Sequence, residues 1–373
     1  MTDSEYRSAI KSIVYLCSCG INDLPVEKER LASVNLDHLY ATSQKHMLSA
    51  IVGIELEKCG MANEAFNKAI SLAKIRQIIF EAEFERVAKA METEQIWYMV
   101  MKGAIIKDLY PVCGMREMSD YDVLIDCSKR ADVKRIMEQL GFQTTRYGIS
   151  HDDMYFKPVM TTFEMHNELF EQKNDNDLYD YYHDVKNRLI QDKKKPYSFS
   201  FTKEDFYLYM IAHEYKHFRV GGTGLRSLLD TYVYLKKCKI DEEYIQNELV
   251  NLGISEYERK NRRLALALFD FQELSDEQIE MLDYIAYSGT YGTLSNKVHN
   301  RVKARGGKAK YIFHRIIGPI EKNNPHREQF INDYKLFFRF KPLLVFLPAY
   351  RLIRAIRKRP GRLKREIKAL KQK

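Results

Sequence analysis

Ser119-Asp120-Tyr121-Asp122-Val123-Leu124-Ile125 is the stretch on which the reading of this chain turns. Its second half is a short apolar run rich in branched and aromatic side chains, which suits a buried strand. Residues two apart on a strand point to the same side, so Asp120 and Asp122 would project together at its start. Two carboxylates held on one face repel, and each is costly to desolvate unless a cation offsets it. Hard oxygen donors beside a phosphate-bearing substrate suggest magnesium. The same spacing also fits two aspartates in a solvated turn that leads into the strand.

Working outward, Ile96 to Met101 reads as a strand closed by Lys102-Gly103, and Ala104 to Tyr110 as one or two helical turns ended by Pro111. Downstream come an amphipathic helix from Ala131 to Leu140, stopped by Gly141, and two strands at Asp153 to Pro158 and Thr161 to His166. Residues 1–95 show only helical periodicity, in Met47, Ala50, Ile51 and Ile54 and again from Ile70 to Phe80, with breaks at Gly20 to Pro25 and Gly60 to Asn63. Helical spacing returns from about Leu178, through Phe206 to Phe218, Leu225 to Lys237 and Tyr257 to Phe271. The pattern predicts an α+β fold: a small mixed-sheet core at 96–175, helical regions at 1–95 and 176–300, and a basic helical extension at 301–373.

The order Met101-Lys102-Gly103, Tyr110-Pro111, Arg116 and Asp120-Tyr121-Asp122-Val123-Leu124 resembles the uncharacterised nucleotidyltransferase family of the DNA polymerase beta-like nucleotidyltransferase superfamily. Glu164-Met165-His166 matches that family's carboxylate-x-His strand, and His213, His217, Arg226 and Asp230 match its later helical residues. The similarity runs from about residue 35 to 350. Two departures stand out: Ala104 follows Gly103 where the superfamily has Ser or Gly, and Glu164 stands where many members have Asp.

The resemblance implies an enzyme, a transferase that moves a nucleoside monophosphate from a nucleoside triphosphate to a hydroxyl acceptor and releases pyrophosphate. Residues 96–175 would be its catalytic core, and 176–300 would complete the active-site cleft. It implies that Asp120, Asp122 and Glu164 hold magnesium (manganese as the alternative) and carry the chemistry, with Glu164 also placed to accept the hydroxyl proton. Lys102, Gly103, Arg116, Ser119, His166, His213, His217 and Arg226 would bind substrate.

Each residue also has a plainer reading. Lys102 could be a solvated lysine at a strand end, and Arg116 could pair at the surface with Glu117 or Asp120. His213 and His217 fall on one stripe with Phe206 and Met210, which points both inward as core or site histidines. No third residue gives them a zinc spacing. Arg226 and Asp230, after Gly221-Gly222-Thr223-Gly224, are spaced for an i, i+4 pair.

The net charge of +9 is a property of one end. Lys341 to Lys373 holds twelve Lys or Arg against the single acid Glu366, a charge of +11 that leaves −2 for the other 340 residues. Arg351, Arg354, Arg357, Lys358, Arg359, Arg362, Lys364, Arg365 and Lys368 could face an anionic membrane or a nucleic acid, or line a solvated helix packed by Leu352 and Ile356. The six cysteines lack zinc spacing and read as free, mostly buried thiols. Met1 to Glu5 lack the features of a signal peptide, and no apolar run approaches the roughly 20 residues of a membrane span, which together predict a cytoplasmic address. The acceptor could be a small molecule, a glycan, a protein or tRNA. Two further readings stay open: a scaffold that binds nucleotide without turnover, and a toxin-like transferase acting on tRNA.

Overall fold

The computed structural model describes residues 1–158, 161–172, 175–290, 292–317, 327–358 and 360–371. It is an α+β structure, 66% helical, with a seven-stranded mixed sheet. The chain divides into two compact units, Met1–Tyr215 with Gly224–Ala286, and Lys216–Thr223 with Tyr287–Lys373.

The first unit opens with α1 (Asp3–Asn22), α2 (Leu36–His46), α3 (Ser49–Lys58) and α4 (Glu64–Thr93). Thr2 and Glu5 close a capping box at the start of α1, and Asn35 and Asn63 cap α2 and α4. The expected break at Gly60 to Asn63 is therefore real and ends at a cap. Gly20 is different: it lies inside α1, where a β-carbon would sit 2.9 Å from Oε1 of Glu55 on α3. That glycine serves helix approach, and the turn comes later, at Asp23.

The sheet is built from β1 (Tyr98–Val100), β2 (Tyr121–Ile125), β3 (Gln143–Arg146), β4 (Asp152–Lys157), β5 (Thr161–His166), β6 (Ile190–Gln191) and β7 (Ser198–Ser200), in the order β3-β4-β5-β2-β1-β7-β6. Between β1 and β2 lies the short α5 (Gly103–Ile106), and α6 (Arg130–Gln139) follows β2. Three strands went unread in the sequence: β3, β6 and β7. Ser198-Phe199-Ser200 is too short and polar to alternate visibly, and its strand character comes from pairing with β1 in parallel.

Alternation along β2 and β5 divides the sheet's two faces. Tyr121, Val123 and Ile125 pack with Phe163 and Met165 against Phe80 and Val87 of α4 and Val133 and Ile136 of α6. Asp122, Glu164 and His166 alternate with these residues and so belong to the opposite face. The apolar side anchors the polar one: truncating the fully buried Phe163 to Ala would cost about 3–5 kcal/mol.

The unit continues through α7 (Asn176–Tyr182), α8 (Lys203–Val220), α9 (Leu225–Lys237), α10 (Glu242–Asn251), α11 (Ser255–Phe269) and α12 (Asp276–Ser288). The last turn of α8 and the end of α12 are assigned to the second unit.

The second unit comprises α13 (Leu294–Ala304), α14 (Lys308–Ile317), α15 (Arg327–Asp333), α16 (Lys335–Arg339), α17 (Leu347–Lys358) and α18 (Pro360–Lys371). Leu352 and Ile356, candidates for packing the basic helix, are 55% and 51% exposed. Arg359 lies outside the described residues, as does the side chain of Arg362. All six cysteines are free, but only Cys17 and Cys19 are buried, and Cys113 and Cys127 are exposed. No helix among the described residues is long and apolar enough to cross a membrane.

Candidate active site

The site grows from strand register. β2 and β5 run parallel with Asp122 opposite Glu164 and Leu124 opposite His166, so two carboxylates and an imidazole share one patch of the sheet. Their ligand atoms lie within 4.8 Å of one another. Asp120 is not part of this triad; it stands half-buried just ahead of β2, with its carboxylate hydrogen-bonded to Ser119.

Lys102 completes the centre. It is the second of the two residues between β1 and α5 and sits at φ 48° and ψ −123°, a conformation that L residues avoid. Its Nζ lies 2.6 Å from Oδ1 of Asp122. The same oxygen meets Nε2 of His166 at 2.7 Å, and Oε2 of Glu164 lies 3.8 Å from that nitrogen. Lys102 is thus a charged partner of the cluster, not a solvated strand end.

The electrostatics follow from burial and crowding. Burial disfavours both charges of the Lys102–Asp122 pair, yet their mutual attraction wins, holding Lys102 above and Asp122 below its ordinary value. Burial, then the ammonium of Lys102, pushes His166 down to about 4, so the imidazole is neutral and donates a hydrogen bond to Asp122. Nδ1 of His166 is then a buried lone pair with no hydrogen-bond partner among the described residues. Burial first, then the Asp122 and Asp120 carboxylates, push Glu164 up to about 7. Burial and Asp122 likewise raise Asp120. A carboxylic acid that keeps its proton to neutral pH marks a cluster short of positive charge. Two carboxylates and an imidazole within ligand reach, with that deficit, fit a divalent cation.

Arg116 lies elsewhere than at the surface. It is 8% exposed, and its Nε and Nη2 donate to the two carboxylate oxygens of Asp230 on α9 at 2.9 and 2.8 Å. The hydroxyl of Tyr110 donates to the same carboxylate at 2.8 Å. The guanidinium also lies so close to the start of α5 that a β-carbon on Gly103 would clash with Nη1. Asp230, spaced for Arg226, is thus engaged by Arg116. Arg226 donates from Nη1 to the carbonyl of Glu117 at 3.2 Å, and its charge reaches Asp120. Ala104, which follows Gly103, is buried in the apolar cluster under the sheet.

On α8 the expected inward stripe holds only in part. Phe206 is buried, Met210 and His213 are half-buried, and His217 is exposed. The buried side of α8 is wider and rotated, through Tyr207, Leu208, Tyr209, Ile211, Ala212 and Glu214. His217 falls in the segment assigned to the second unit.

Three contributors went unread. Tyr209 is 1% exposed and feels the charges of Lys102, Asp122 and Glu164; its place one turn before His213, whose ring lies 6.1 Å away, was the available signal. Asp152 sits opposite His166 on β4 and pairs with Arg146 at the end of β3, whose charge acts on Glu164. His151 hydrogen-bonds Glu171 at 2.9 Å and lies 5.5 Å from the His166 ring.

Comparison with known proteins supplies the context. The profile of the family described as "uncharacterised nucleotidyltransferase" matches residues 32–270, a span that includes every residue of the cluster. No curated protein matches the chain. Among solved structures, the chain is similar to an antigenic nucleotidyltransferase-like protein from Paracoccidioides brasiliensis, at 13% identity and a TM-score of 0.34, over 56% of this chain and 96% of that one. With nearly two-thirds of its length matched by one profile, the chain belongs to the uncharacterised nucleotidyltransferase family.

Proposed function

We propose that the cluster on β2 and β5 transfers a nucleoside monophosphate from a nucleoside triphosphate to a hydroxyl acceptor, with magnesium or manganese held by Asp122 and Glu164 and assisted by Asp120. The observation that carries this reading is the Asp122–Glu164 register, with Glu164 pushed up to about 7. When bound, the ion would supply neutralisation of the triphosphate and of the pyrophosphate that leaves.

The chain's own groups account for the rest. The acceptor oxygen forms a bond to the α-phosphorus while the bond from that phosphorus to pyrophosphate breaks. The acceptor's proton passes to a carboxylate oxygen of Glu164, which stands opposite Asp122 on the neighbouring strand. Lys102 and Arg226 are the cations aimed at the Asp120 end of the cluster and would bind the phosphates there. Gly103 lets the backbone come close, Ser119 orients Asp120, and His166 steadies Asp122 by hydrogen bonding. His213, beside Tyr209, would contact the nucleotide from α8. Arg116 acts from behind, as the brace between Asp230 and the Gly103 turn.

One contact favours a second reading, in which nucleotide binds without turnover: Oδ1 of Asp122 is already taken by both Lys102 and His166. The two readings separate on one experiment. The protein is incubated with each labelled triphosphate, magnesium or manganese, and a cell extract, and both pyrophosphate and labelled acceptor are measured. Transfer that disappears in Asp120→Asn supports the enzyme; binding with no pyrophosphate under any combination supports the scaffold. Growth arrest on expression, relieved by Asp122→Ala, would mark the toxin-like form of the transferase.

A further inference from the structure

The second unit carries a helix with its faces reversed. On α17, Leu347 is fully buried, and Arg351 and Arg354 turn inward, their guanidinium carbons 5.0 Å from the Phe330 ring and 5.3 Å from the Tyr334 ring. The opposite face holds Ala349, Leu352, Ile353 and Ile356, at the three- and four-residue spacing that normally marks a core-facing stripe. Leu352, Ile353 and Ile356 are each more than half exposed. Val345 and Phe346, just ahead of the helix, are 79% and 63% exposed. Arg357 flanks that stripe next to Ile356 and is exposed, as are Lys358 at the end of the helix and Lys364 and Arg365 on α18, all within a segment of charge +11.

We propose that this face of α17 docks on an anionic lipid bilayer. The lipid interface accepts both halves of the surface: aliphatic side chains enter the acyl boundary while flanking cations meet lipid phosphates. A nucleic acid would satisfy the cations but leave Leu352, Ile353 and Ile356 in water, since aliphatic side chains do not stack on bases. The helix has 12 residues, about 18 Å at 1.5 Å per residue, so it lies along a membrane and does not span one. The chain would then work as a peripheral protein, held beside acceptors presented at a lipid surface.

The test is co-sedimentation of the full chain with vesicles of phosphatidylcholine alone or of an equal mixture with phosphatidylglycerol, alongside a gel shift with bulk tRNA. Binding to the mixed vesicles and not to the neutral ones is expected. Ile353→Ser/Ile356→Ser should lower that binding at least about tenfold, because each removes a large apolar side chain from the acyl boundary. Arg357→Glu/Lys358→Glu should also lower it about tenfold or more, through charge. Both pairs lie on exposed positions, and circular dichroism checks that the variants keep their helix content. The proposal is overturned by absence of vesicle binding, by vesicle binding that the serine variant leaves unchanged, by tRNA binding without vesicle binding, or by a dimer that the serine variant dissolves in the absence of vesicles.

Discussion

Two buried ion pairs lie near one another in this fold, and they differ in completeness. Arg116–Asp230 is closed: a planar guanidinium meets a carboxylate with two parallel hydrogen bonds, and Tyr110 adds a third donor to the same group. Lys102–Asp122 is open: one ammonium serves a carboxylate that also faces Glu164 and Asp120. A finished pair supports structure, whereas an unfinished one leaves room for a further positive charge. Removing one partner should therefore cost stability in the first place and activity in the second.

The largest effect belongs to the closed pair. Asp230→Ala leaves Arg116 buried without its partner, and stability should fall by about 3–5 kcal/mol in chemical denaturation. An unchanged midpoint would show that the pair is not what braces α9. Next comes the open cluster: Asp122→Asn should cut transfer at least about a hundredfold, equivalent to ~2.7 kcal/mol. Its melting temperature should stay within a few degrees of the parent, because one of several crowded charges has gone. A collapse in stability there would place Asp122 with the structural pairs.

Titration sharpens the contrast further. Glu164 is raised from 4.5 to about 7 in the folded chain, so the folded state holds its proton over a range where the unfolded chain has lost it. Stability should thus fall as pH rises from about 4.5 through 7, the reverse of a salt-bridged carboxylate. Glu214, raised to about 8 chiefly by burial and then by Asp230, contributes with the same sign. Melting curves of Glu164→Gln against the parent isolate the first group: the gap between them should open in favour of the variant across that window. Magnesium should close the gap above pH 7, since a bound ion favours the ionised carboxylate. Parallel curves at all pH values would remove Glu164 from the cluster.

The smallest effect is torsional. In an Asp122→Asn background, where the ion pair is already lost, Lys102→Gly should add about 1 kcal/mol of stability by relieving the positive φ at the turn. A loss instead would mean that the lysine stem packs usefully whatever its charge.

Local chemistry was legible in the sequence, and pairing was not. Asp120-x-Asp122 before an aliphatic run and the Lys102-Gly103 stop each announce themselves within a few residues. The capped break at Asn63 does the same. What brings Glu164 opposite Asp122 is the parallel register of β5 on β2, a contact between segments some forty residues apart that no local pattern encodes. β7 was invisible for the same reason: its three residues are a strand only because β1 lies beside them. Arg226 and Asp230 were correctly spaced for each other, yet Asp230 is met by Arg116, from another part of the chain. On α8, a stripe drawn through Met210 and His213 passed one residue to the side of Tyr209, the residue that feels the cluster's charge.

The absence of a side chain at Gly103 has a mechanical consequence. The backbone at the head of α5 and the Arg116 guanidinium share space without slack, and that guanidinium is gripped from α9 by Asp230. A displacement of the Lys102–Gly103 turn toward the guanidinium has nowhere to go except into α9. Movement of that turn is therefore geared to a helix more than a hundred residues further along the chain, and a probe on that helix would report it without touching the cluster.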